Sequence, residues 1–295
     1  MPVSFSQPSP LTEPIIAADM PARKQLQTIQ AVRGVAALAV VAFHLTQFVG
    51  GTYGEDLWNG LFEHGFAGVD LFFVISGFVI VYTSQEYIGR PETLRTYLTK
   101  RAIRVYPIYW LTIAIMTLLM AVSLWLMPNG IGKVIANRWP GLDTLLLTPH
   151  HRALNIVSWS LSHELFFYLL FGCLIVSRKL WVVPAFFLVG SLYMAFTKQQ
   201  YIDGQSTIWE YFWFNPLNVE FALGALVGYG FVHYKANKWE GLGAAVLCLV
   251  WLYGLGVTPN EFFGERLLNY GVASMLLLIV VLAYEYLYRP ALPKW

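Results

Sequence analysis

The sequence predicts an all-α fold, a polytopic integral membrane bundle of about eight transmembrane helices, and three observations predict it. Of 295 residues, 57% are hydrophobic and only 12% charged, against roughly 25% charged in an average soluble domain. Mean hydropathy is +0.55 and aromatics make up 16%, more apolar side chain than a water-facing surface holds without very large greasy patches. Apolar stretches of roughly 17 to 22 residues recur along the chain, each long enough to cross about 30 Å of hydrocarbon as a helix. The same composition excludes disorder, collagen and a disulfide scaffold. A net charge of +2 leaves no basic field for nucleic acid; the expected surroundings are a lipid bilayer.

Residues 1–27 carry five prolines and no basic run leading into an apolar core, which reads as a flexible cytoplasmic tail rather than a signal peptide. Residues 28–295 form the transmembrane domain, with spans expected near 29–49, 66–83, 106–127, 156–177, 180–197, 216–233, 239–257 and 268–288. Eight spans put both termini on one side. With a cytoplasmic N-terminus, thirteen lysines and arginines fall inside and five outside, Arg266 among the five, with Arg33 left within a span. That asymmetry predicts cytoplasmic termini. The tightest joint is Arg178-Lys179, which must turn the chain between two spans. Cys173 and Cys248, each inside an apolar run, read as buried thiols.

An ionisable side chain in hydrocarbon costs at least a few kcal/mol, so each one within a span is a candidate for function. In the first span Arg33 and His44 are eleven residues apart, which returns to within roughly 20° of one helix face. They lie about 16 Å apart along it. Arg33 is near enough to the end to snorkel, but the shared face points to a common polar cavity. In the second span Asp70 either caps the helix at its outer end or points inward to orient His44 and fix one tautomer. Segment 97–110, YLTKRAIRVYPIYW, sets Arg101 and Arg104 on one face before a membrane entry. They read either as positive-inside anchors above an aromatic belt of Tyr106, Tyr109 and Trp110, or as two guanidinium forks for phosphates.

Segment 158–168, SWSLSHELFFY, pairs Ser160 with Glu164 and Trp159 with His163 at one-turn spacing. A glutamate among phenylalanines is hard to explain by packing. In the sixth span Gly224 and Gly228 make a stripe of small residues for close helix contact, with Glu220 one turn earlier on the same face. The remaining histidines lack carboxylate or thiolate partners at ligand spacing, so no metal site is expected. A P-loop, a GxSxG elbow and an internal repeat are all missing from the sequence.

The run LQTIQAVRGVAALAVVAFHL resembles the first span of the acyltransferase 3 family of membrane O-acyltransferases, marked by an arginine, ten residues and a histidine. GVDLFFVISGFVI, KRAIRVYPIYW and WSLSHELFFYLLF resemble the next three family blocks in order, and NPLNVEFALG a later one, so the likeness covers roughly residues 26 to 230. The LQ lead-in, the ELFFYLLF run and Glu220 in VEFALG are similar to the exopolysaccharide acetyltransferase branch. The chain departs from the common pattern at Leu165, where the family has a second acid, and at His163. Family members usually have about ten spans rather than eight.

The resemblance implies transfer of an acyl group, most often acetyl, from coenzyme A to a hydroxyl of an envelope or exported polysaccharide. The partners would be a carbohydrate acceptor, acyl-CoA (acetyl-CoA) as co-substrate with no permanently bound cofactor, and possible polysaccharide assembly machinery. Such a reaction needs a base, charge stabilisation at the thioester carbonyl and a site for a polyanionic donor. The expected roles are His44 as base or acyl relay, oriented by Asp70 or Glu164, with Arg33, Arg101 and Arg104 on the donor. Trp159, Ser160 and Glu220 would support them. A transporter of a small solute or lipid-linked glycan is the alternative reading, since it too would bury acids, an arginine and a histidine.

Overall fold

A computed structural model describes residues 26–54, 57–126, 140–149, 158–197, 212–233, 238–255 and 266–288. The N-terminal tail, and the charges at 23–24, 133, 138, 152, 198, 235, 289 and 294 that enter the topology argument, lie outside the described residues. Each of the eight expected spans falls on a helix. They are α1 (Gln27–Tyr53), α2 (Gly68–Ser84), α3 (Leu94–Leu126), α4 (Trp159–Val176), α5 (Val182–Thr197), α6 (Leu217–His233), α7 (Lys238–Leu255) and α8 (Val272–Tyr288). Six helical stretches are long and apolar enough to cross a membrane by length and composition; α6 and α7 fall short of that measure. The protein is an all-α polytopic membrane bundle.

Local chemistry sets the helix ends. Gly54 takes the left-handed conformation at φ 70° and returns its N–H to the Gly50 carbonyl, closing α1. Pro91 opens the single 3₁₀ turn before α3. The Asn215 side chain accepts the Leu217 N–H at 2.9 Å ahead of α6. The tight joint between α4 and α5 is one 3₁₀ turn, Arg178–Trp181, whose Lys179 N–H is taken by the Ser177 hydroxyl. Gly89 sits beneath it at φ 76°, donating to the Leu174 carbonyl, and the Arg178 side chain fills the space where a Cβ would stand.

The most intimate packing joins α2 to α6. A Cβ on Gly224 would overlap the Val74 carbonyl, and one on Gly77 the Phe221 carbonyl, while Gly228 faces the Phe78 carbonyl at 2.9 Å. The two backbones therefore touch, as small-residue stripes allow in a membrane, where no hydrophobic force drives helices together. The register pairs 74 with 224 and 78 with 228, so α2 and α6 run parallel. Three helices separate them in the chain, and an odd number is what a parallel pair of spans requires. On α1, Ala36 and Ala39 stand against Gly68 and Gly65, so α1 runs antiparallel to α2. Leu278 and Leu282 of α8 complete a core with Ile29, Ile75 and Phe78. A second core of Phe73, Tyr97, Phe166, Phe167 and Phe171 ties α2 to α3 and α4.

The aromatic row on α3 has protein partners rather than acting as a headgroup belt alone. Tyr109 and Tyr106 donate to the carbonyls of Thr144 and Leu146, and the Trp110 indole donates to that of Leu145, pinning the one-turn helix Leu142–Leu145. Cys248 is buried as expected, but Cys173 is only half-buried.

Gly224→Ala is expected to lower the melting temperature in detergent or to abolish monodisperse protein. Overpacking costs about 1–3 kcal/mol, and backbone has little room to yield. Gly230→Ala, where nothing lies within 4 Å of the new methyl, is expected to melt like wild type.

Candidate active site

One cavity of about 670 Å³ lies among α1, α2 and α4, in the range of small-molecule sites. Its α1 wall is the stripe Arg33, Ala37, Val40, Val41 and His44, five residues at helical spacing. Phe72, Phe73 and Ser76 of α2 form a second wall. Ser158 with Trp159, Ser160, Glu164 and Phe167 of α4 forms the third. The stripe orders the cavity along the bundle: Arg33 lies toward the end of α1 that carries Gln27, His44 toward the end that carries Tyr53. Val35 and Leu38, on the opposite side of α1, are 67% and 70% exposed and face outward.

Of the residues singled out in the sequence, the cavity brings together Arg33, His44, Trp159, Ser160 and Glu164. Glu164 accepts a hydrogen bond from the Tyr168 hydroxyl one turn on. Arg33 lies within the fields of Arg104 and Glu164, so two guanidinium groups and a carboxylate share one level of the bundle. Arg104 itself is exposed.

Arg101, Asp70 and Glu220 do not line the cavity, and neither does Arg104. Arg101 is buried and committed: its Nη2 donates to Thr83 Oγ1 and Ser84 Oγ at 2.6 and 2.8 Å, and its guanidinium sits over the rings of Tyr97 and Tyr168. It locks α2, α3 and α4 together instead of presenting a fork to a phosphate. His163 is caged by Phe73, Trp159 and Phe212, with Nδ1 against the Trp159 carbonyl at 3.0 Å. Asp70, at 0% exposure, does not reach for His44; it grips Arg266 through two parallel bonds of 2.9 Å, Nε to Oδ1 and Nη2 to Oδ2. Glu220, also buried, stands beside Asp70 and packs on Gly271.

Arg266 is the residue that sequence reasoning missed. It precedes a π turn, Leu267–Gly271, which leads into α8, and π turns recur at functional sites. Its side chain is 25% exposed, lies over the Phe66 ring at 5.4 Å, and lines the same cavity as His44. In sequence it is one loop charge outside every motif. The signal that could have found it is charge balance, since two carboxyls buried in apolar spans require a cation from somewhere. Among the described residues, no three His, Cys, Asp or Glu side chains converge as a metal site.

The sequence profile of the acyltransferase 3 family, described as an acyltransferase domain, matches residues 26–290. The match extends past the motif blocks and takes in Arg266. Among curated proteins, the chain is 27% identical to the acyltransferase MdmB of Streptomyces mycarofaciens, over 79% of this chain and 64% of that protein. It is 26% identical to the exopolysaccharide production protein ExoZ of Rhizobium meliloti, over 76% of this chain and 68% of that protein. A shorter match, 38% identical over 90 residues, links it to protein 2 in the picA locus of Rhizobium radiobacter. The chain thus spans about two thirds of the length of the two longer relatives. No solved structure matches significantly.

Asp70→Ala is expected to lower the melting temperature in detergent, because it removes both bonds from the Arg266 guanidinium. Asp70→Asn combined with Arg266→Gln, which removes both charges, is expected to recover most of the lost melting temperature.

Proposed function

The chain belongs to the acyltransferase 3 family, and on that premise we propose that it is a membrane-embedded O-acyltransferase. It moves an acyl group, acetyl first among candidates, from acyl-CoA to a hydroxyl of a cell-envelope or exported polysaccharide. What supports the reading is that Arg33, His44 and Glu164, dispersed over 132 positions of sequence, line one cavity. ExoZ, a relative named for exopolysaccharide production, favours a polysaccharide acceptor.

In this reading the Gln27 end faces the bacterial cytoplasm, where acyl-CoA resides, and the Tyr53 end faces outward. The paired guanidinium groups of Arg33 and Arg104 supply the positive charge for the donor's phosphates. Arg101, bonded to Thr83 and Ser84 at the end of α2 and seated over Tyr168 midway along α4, positions these helices rather than the donor. The pantetheine arm follows the Ala37–Val41 stripe toward His44. There the imidazole takes the acceptor hydroxyl proton as general base, or carries the acyl group itself between donor and acceptor. Glu164, which accepts the Tyr168 hydroxyl bond and lines the same cavity, contributes a carboxylate to the donor path. Trp159 and Ser160 form the wall opposite the stripe.

Transfer from labelled acetyl-CoA to carbohydrate, measured in membranes, is expected to fall at least about 100-fold in His44→Ala at equal protein abundance; retained activity would refute the assignment. Arg104→Ala is expected to raise the apparent KM for acyl-CoA several-fold with little change in kcat, whereas an unchanged KM would leave Arg104 an anchoring residue only.

A further inference from the structure

We propose that Arg266 is a further catalytic residue, stabilising the negative charge that develops on the acyl carbonyl oxygen during transfer. This rests on the acyltransferase reading of the cavity. The two arginines that line the cavity are Arg33 and Arg266, and Arg33 is eleven residues, about 16 Å, along α1 from His44. A carbonyl attacked by a hydroxyl held at His44 is out of reach of Arg33. Arg266 lines the same cavity as His44. Its guanidinium rests on Phe66, Phe66 meets Phe43 edge-on at 5.5 Å between centroids, and Phe43 adjoins His44. One aromatic wall therefore runs from the cation to the imidazole.

Both bonds to Asp70 fix the plane of the guanidinium, and Asp70 is itself fixed by complete burial beside Glu220. A preorganised cation in an apolar, water-poor site stabilises developing charge far better than a mobile one on a surface. Arg266 keeps a quarter of its side chain exposed while making both bonds, and it lines the cavity.

The step balances as follows. The acceptor oxygen bonds to the thioester carbonyl carbon while its proton passes to a ring nitrogen of His44. The carbonyl π pair moves onto oxygen, against Arg266. Collapse re-forms C=O and breaks C–S, and the departing thiolate takes the proton back from His44, leaving the ester and coenzyme A.

The test uses full-length protein, with kcat normalised to the amount that binds acyl-CoA, so that unfolded protein does not count. Arg266→Gln with Asp70→Asn keeps a neutral hydrogen-bonded pair; Arg266→Lys keeps the ion pair but removes the planar fork. Expected are a kcat lower by roughly 100-fold or more in the first, at least about tenfold in the second, and a donor KM within about threefold of wild type in both. Either variant with wild-type kcat, or a loss carried wholly by KM, overturns the proposal. If wild type transfers from no acyl-CoA tested, the acyltransferase reading itself has failed instead.

Discussion

The bundle depends on the backbone contact between α2 and α6. Where Gly224 meets the Val74 carbonyl and Gly77 meets the Phe221 carbonyl, no side chain fits, so the two helices have one register. That register places residue 70 opposite residue 220, one turn before the 74–224 contact. Asp70 and Glu220 are thereby brought side by side, and their shared need for a cation draws in Arg266 at the start of α8. The seam also frees the other faces of α2. Phe72, Phe73 and Ser76 become cavity wall, and Ile75 and Phe78 pack against α1 and α8.

Two separate polar clusters result, at different levels of the bundle. Arg33, Arg104 and Glu164 occupy one, joined through Tyr168, midway along α4, to the Arg101 lock at the end of α2. Asp70, Glu220 and Arg266 occupy the other, and His64 extends it by a 3.0 Å contact with the Tyr270 hydroxyl. The cavity with His44 and its apolar stripe runs between them. A donor entering at one level and an acceptor at the other would meet in a compartment lined mostly by apolar side chains.

Much of this was legible in the sequence, and the rest was not for physical reasons. Hydropathy located the eight expected helices, six of them long and apolar enough to span among the described residues, because a bilayer imposes length and composition on any span. The Arg33–His44 stripe and the Gly224–Gly228 face were readable because helix periodicity alone decides which residues share a side. Partnership was not readable. Asp70 was equally compatible with His44 and with a helix cap, and only the fold brings Arg266, 196 residues away, to its carboxylate. Arg101 and Arg104, three residues apart, look equivalent in the sequence. Yet the fold buries one among Thr83, Ser84 and two tyrosines and leaves the other exposed.

The central claim is that acyl-CoA lies along one face of α1 between Arg33 and His44, and cysteine protection tests it most directly. Single cysteines at Ala37 and Val41, in the cavity stripe, and at Val35 and Leu38, on the opposite face, are introduced into protein in which Cys173 and Cys248 are replaced by alanine. Each is then labelled with a small thiol reagent with and without acetyl-CoA. Protection by acetyl-CoA at 37 and 41, with none at 35 and 38, is the result this account predicts. Equal protection of both faces, or protection of neither, would contradict it.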